Sequence, residues 1–217
     1  MPFTLIVSLA AAVLALSPAA AVATQGGLAF APSGLAACAA NAEPLGRGEV
    51  VYLPQAPLGG TGVALTACAT IEQKPAEVWP VLRDCAAYQR FLPGVASSRL
   101  DSRDDNVARC EAVIRLPFPL GDWRSVERAT ESERADGGFE RRWSLESGTY
   151  RRMEGLWTLL PWGDGGRQTL LVYQLDMDPD TLVPDFLLRR AQSATAPDVF
   201  EAIRRRVRLC NRADQPC

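Results

Sequence analysis

The chain has 217 residues, 23 basic and 25 acidic side chains, a net charge of -2 and no histidine. Its length fits one domain with a full core, and its near-neutral charge offers no field to recruit nucleic acid. Without histidine, Ser-His-Asp and Cys-His catalytic units and His-ligated zinc, haem or non-haem iron are excluded, so acid–base work would fall to carboxylate, tyrosine or cysteine.

The first 23 residues read as a secretory signal peptide. An apolar run from Phe3 to Leu16 precedes the breaker Ser17-Pro18 and the small residues Ala19 to Ala23, an h-region followed by a cleavage site. The run is shorter than the roughly 20 apolar residues a membrane span needs. Export to a periplasmic or secreted location follows. Leu35-Ala36-Ala37-Cys38 resembles a lipoprotein processing box, but a polar stretch separates it from the h-region, so an ordinary signal peptide is the better reading. All six cysteines lie after the expected cleavage point, and in an oxidising compartment an even count favours disulfides. The sequence does not choose among their pairings, although Cys210 and Cys217 are spaced to close a small terminal loop. Zinc is disfavoured by the lack of a C-x-x-C spacing.

Residues 24–62 are rich in Ala, Gly and Pro and read as an extension or linker, with a short strand in Glu49 to Leu53. Val63 to Glu72 predicts a strand. Pro75 suits the first turn of a helix carrying Val78, Trp79 and Leu82 on one side, which Pro80 should shorten or kink. Asp84 to Pro93 predicts a second short helix. Strands then alternate with turns: Val95 to Leu100, Val107 to Leu116, Trp123 to Thr130, Phe139 to Leu145, Met153 to Leu160 and Thr169 to Met177. Asp136-Gly137-Gly138 marks one hairpin. The last element is a helix from about Pro184 to Leu209. Phe186, Leu187, Arg190, Ala191 and Ala194 form one stripe, continued by Val199, Phe200, Ile203 and Val207, and Pro197 should kink or split it. Strands with helices gathered on one face make an α+β antiparallel sheet.

Three stretches carry a family resemblance: Pro75-Ala76-Glu77-Val78-Trp79 with Leu82 and Asp84; Tyr88-Gln89-Arg90-Phe91-Leu92-Pro93-Gly94-Val95; and Gly155-Leu156-Trp157-Thr158-Leu159. They resemble the START-like helix-grip superfamily (SRPBCC), in its polyketide cyclase and coenzyme Q-binding branch. The likeness covers residues 63–209, leaving 210–217 as a tail. It implies a curved seven-stranded antiparallel sheet around a long C-terminal helix, with two short helices after the first strand. It also implies a cavity for lipids, sterols, quinones or polyketides. The family has no universal catalytic set, so no catalytic residue is carried over.

A hydrophobic cavity needs an apolar wall with few polar groups. Phe118, Trp143, Trp157, Tyr173, Phe186 and Leu187 are candidates for the wall, although large aromatics also fill ordinary cores. Arg141 and Arg190 fall on apolar stripes, where either could hold an anionic head group or a carbonyl; a buried ion pair or a snorkelling side chain is the plainer reading. Asp176-Met177-Asp178-Pro179-Asp180 begins like a calcium loop but has Thr181 and Leu187 where Gly and Glu are needed. Neither metal nor cofactor is expected. Arg204 to Arg206 and Arg208 oppose the helix dipole, or touch an anionic membrane surface during ligand transfer. The expected function is an exported carrier that binds a hydrophobic small molecule or lipid without a covalent bond. The alternatives are a polyketide cyclase or dehydratase acting by positioning, and a partner-binding domain with a filled interior.

Overall fold

The computed structural model describes residues 32–116 and 121–212; the leader expected over residues 1–23 lies outside them. The elements run α1 (Pro32–Ala39), α2 (Ala42–Gly46), β1 (Val51–Gln55), β2 (Val63–Ile71), α3 (Pro75–Arg83), a 3-10 helix (Cys85–Arg90), β3 (Val95–Asp104), β4 (Val107–Arg115), β5 (Asp122–Glu133), β6 (Phe139–Gly148), β7 (Tyr150–Trp162), β8 (Gln168–Pro179) and α4 (Asp185–Arg212). The strands make one antiparallel sheet in the order β1-β2-β8-β7-β6-β5-β4-β3. The chain is thus α+β, a large antiparallel sheet with a long C-terminal helix.

The sheet has eight strands, not the seven implied by resemblance. The extra one, β1, pairs antiparallel with β2 from Val51↔Cys68 to Gln55↔Ala64. The helices therefore follow the second strand, and the second of them is 3-10. Residues 32–62, read as an extension with a short strand at Glu49 to Leu53, contribute α1, α2 and, at Val51–Gln55, β1. Cys38 and Leu45 pack with Cys68, Leu170 and Val172 on the outer face of the sheet, and the Cys38–Cys68 disulfide fixes them there. That bond commits the Cys38 sulfur, which a lipid anchor would need. Gly34 permits the close approach of α1, because a Cβ there would fall 2.4 Å from Gln174 Nε2. Covered on both faces, β2 is buried at almost every position, hence its nearly continuous apolar sequence.

Inward-facing residues of β2, β6, β7 and β8 share one core with α3 and α4. Lys74 N–H donates to Glu77 Oε2 at 3.0 Å and Pro75 opens α3; the helix continues past Pro80 to Arg83. Gly62 N–H donates to Asp185 Oδ2 at 3.0 Å, tying the start of α4 to β2. Arg204 donates to the Thr70 carbonyl from Nε (3.0 Å) and Nη2 (2.8 Å), tying the far half. Arg204 is thus a structural clamp rather than a free basic group.

α4 removes one of the two outcomes expected at Pro197, a split, and corrects part of the expected stripe. It runs as one helical span through Pro197; both Pro197 and Ser193, whose carbonyl loses the proline's N–H, are exposed, so water can serve that carbonyl. Its buried residues are Leu188, Ala196, Phe200, Ala202, Ile203 and Val207. The expected stripe of Phe186, Leu187, Arg190, Ala191 and Ala194 points away from the sheet, with Phe186 62% and Leu187 45% exposed. Two lines on one helix obey the same spacing, and periodicity alone does not say which is buried.

Candidate functional site

Side-chain alternation and register bring the inward residues together. Ala67 faces Tyr173, Tyr173 faces Trp157, Trp157 faces Arg141, and Arg141 faces Glu131, one row across β2, β8, β7, β6 and β5. Trp157 and Tyr173 stack at 4.2 Å between centroids, Trp143 stacks on Tyr173 at 6.0 Å, and Phe200 of α4 meets Trp157 edge-on at 6.1 Å. The next row makes room for Trp143 with a glycine: a Cβ at Gly155 would fall 1.9 Å from the indole.

Beside this stack lies a buried charge cluster. Glu131 Oε2 accepts from Arg83 Nε at 3.2 Å and from Arg103 Nη1. Arg141, 1% exposed, places Nε 3.6 Å from Glu131 Oε1 and donates from Nη2 to Cys110 Sγ at 3.2 Å. Arg141 Nε and Glu131 Oε1 have no hydrogen-bond partner. Cys110 is itself disulfide-bonded to Cys85, pinning the 3-10 helix onto β4.

Four titratable residues gather nearby from four elements. Glu127 of β5 accepts a 2.9 Å hydrogen bond from Ser125 Oγ. Burial pushes its carboxyl above the ordinary value, against the pull of the Arg141 charge and the Ser125 hydrogen bond. Burial raises the Tyr173 phenol, and Glu127, Tyr150 and Tyr88 add to it. Tyr150 is raised by burial and then by Glu127. Tyr88, whose hydroxyl donates to the Leu82 carbonyl, is raised by burial and partly offset by Arg141. All four are half-buried. Trp123, edge-on to Tyr150 at 5.6 Å, and Leu145 are likewise half-buried and on this face.

The expected site residues divide. Trp143, Trp157, Tyr173 and Arg141 come together, but Trp143 and Trp157 are only 6% and 5% exposed and act chiefly as core. Arg141 forms the buried contact with a carboxylate that was its plainer reading. Phe186, Leu187 and Arg190 lie on the outward face of α4, away from this group. Phe118 lies outside the described residues. Sequence reasoning missed Glu127, Tyr88 and Tyr150. Alternation along Trp123 to Thr130 was the available signal for Glu127, since it shares the face of Ala129. No grouping of acidic, cysteine and histidine residues able to hold a metal occurs among the described residues.

The polyketide cyclase/dehydrase and lipid transport family matches residues 71–204. None of the curated proteins matches this chain. Among solved structures, a STAR-related lipid transfer protein fragment from Xanthomonas axonopodis is 21% identical, with a TM-score of 0.65 over 73% of this chain and 93% of that one. Human STARD10 is 12% identical, with a TM-score of 0.63 over 73% and 69%. The Zhui aromatase/cyclase from Streptomyces is 15% identical, with a TM-score of 0.53 over 78% and 100%. These structures share the fold. With a family match over most of its length, the chain belongs to the polyketide cyclase/dehydrase and lipid transport family.

Proposed function

We propose that the protein is an exported carrier holding a hydrophobic small molecule or lipid non-covalently between its sheet and α4. The supporting observation is the half-buried group of Tyr88, Glu127, Tyr150 and Tyr173 inside an aromatic interior. Burial of an apolar ligand would supply affinity at about 25 cal/mol per Å² removed from water, while Glu127 and the phenols orient its polar end. In this reading Trp143 and Trp157 back the wall, and Arg141 acts through its charge on Glu127 and Tyr88. Export accords with the disulfides Cys38–Cys68 and Cys85–Cys110. The test is solvent extraction of the purified protein and mass spectrometry of what co-purifies, followed by titration of the emptied protein. A stoichiometric amphiphile supports the carrier; an interior that takes up no lipid, sterol or quinone removes it.

Glu127 gives a second reading its one specific support. A carboxyl held above its ordinary value beside three phenols suits proton transfer to or from a positioned polyketone. Turnover of such a substrate, abolished by Glu127→Gln while binding persists, would establish an enzyme of the cyclase or dehydratase type.

A further inference from the structure

Beyond the interior site, we propose that Cys85–Cys110 is an exchange-active disulfide, opened by a dithiol, in which Arg141 holds the Cys110 sulfur as the leaving thiolate. Opening the bond unpins the 3-10 helix Cys85–Arg90, which carries Tyr88.

Cys85–Cys110 and Cys38–Cys68 differ in their surroundings. Cys38 and Cys68 pack with Leu45, Leu170 and Val172 on the outer face, an apolar setting that disfavours a thiolate. Cys110 Sγ instead accepts from Arg141 Nη2 at 3.2 Å. Arg141 is 1% exposed, its Nε has no hydrogen-bond partner, and Glu131 Oε1 stays 3.6 Å away. Glu131 also pairs with Arg83 and Arg103, so three guanidinium groups share one carboxylate. Glu127 stands opposite Cys110 in the β4–β5 register, and burial favours its protonated form, which does not oppose a thiolate. A disulfide sulfur is a weak acceptor, whereas a thiolate would give Arg141 the counter-charge it lacks. The reduced form is therefore the better paired one.

Both sulfurs are buried, so exchange goes through local opening of the 3-10 helix. That helix lies against the edge strand β3, and apart from its cysteine the hydrogen bonds between them run through Ser98, to Gln89 and Ala86. A thiolate of the dithiol attacks Cys85 Sγ. The new S–S bond forms as the old one breaks, and the electron pair leaves on Cys110 Sγ beside Arg141. The second thiolate of the dithiol then attacks its own partner sulfur in the mixed disulfide and releases Cys85, which takes a proton from water. The protein gains two electrons, and the dithiol leaves oxidised to a disulfide.

The test equilibrates the full chain with graded ratios of reduced to oxidised dithiothreitol, traps thiols with N-ethylmaleimide and assigns them by peptide mass. Cys85 and Cys110 should be trapped at a ratio about tenfold lower than Cys38 and Cys68. Arg141→Met should raise that midpoint about tenfold, and Arg141→Lys should restore it. A substitution that merely loosened the packing would make the bond easier to reduce, so the direction separates the charge of Arg141 from a structural role. Amide exchange of residues 85–91 should quicken on reduction while that of residues 32–46 stays slow. Should Arg141→Met fail to fold, the order of opening in the wild type decides. The proposal is overturned if Cys38–Cys68 opens first or together with Cys85–Cys110, if Arg141→Met leaves the midpoint unchanged or lowers it, or if protection of residues 85–91 survives reduction. No interior ligand enters the readout, so its failure is distinguishable from that of the carrier reading.

Discussion

Arg141 Nε stands 3.6 Å from Glu131 Oε1, and neither atom completes a hydrogen bond. The two residues are unequal in what else they hold. Glu131 also takes Arg83 and Arg103, whereas Arg141 has only a disulfide sulfur besides. Glu131→Gln removes the carboxylate that three guanidinium groups share, one of them buried, and should cost about 3–5 kcal/mol. Arg141→Met leaves Glu131 still paired and should cost less, about 1–2 kcal/mol. Urea midpoints followed by tryptophan fluorescence give both values, and the reverse order would refute this account of the cluster.

Gly155 is required by the indole above it. Gly155→Ala drives a methyl into Trp143 and should destabilise by about 1–3 kcal/mol. Combined with Trp143→Leu, the same alanine should cost much less than it does alone, because the clash is gone. A double-mutant cycle in urea measures the coupling, and strict additivity would show that the strain lies elsewhere.

The raised carboxyl of Glu127 sets a pH dependence opposite to that of a salt-bridged acid. The folded chain keeps this proton to higher pH than the unfolded chain. Its stability contribution is therefore full below the ordinary glutamate range and is lost as pH rises toward the folded value. Glu127→Gln removes the titration. The stability of the variant relative to wild type should climb through that window and then level off; a pH-independent difference would mean that Glu127 titrates as it does in solvent.

Cys38–Cys68 closes a loop with a sequence separation of 30. Cys38→Ser with Cys68→Ser should remove about 3–4 kcal/mol on the chain-entropy account. It should also release α1 from the outer face, because no other covalent bond holds that end among the described residues. Thermal melting gives the first effect and amide exchange of residues 32–46 the second; unchanged protection there would show that Leu45 and its neighbours suffice.

By itself the sequence determined the strands of the meander, the α+β class and the family, because alternation and the stretches around Trp79, Phe91 and Trp157 are local signals. It also placed Trp143, Trp157 and Tyr173 on inward faces, since a strand's period of two leaves one choice of side once the core is known. Tertiary structure decided what depends on partners distant in the chain. The short strand expected at Glu49 to Leu53 joined the sheet, as β1, because β2 offered an open edge. Glu127 became a site residue because the 3-10 helix Cys85–Arg90, β7 and β8 bring Tyr88, Tyr150 and Tyr173 around it. The helix is the sharpest case: the sequence put Phe186 and Phe200 on one stripe, and packing against α3 and the sheet buries Phe200 with Leu188 while Phe186 and Leu187 stay exposed. Spacing specifies that a face exists; burial against a particular neighbour specifies which one it is.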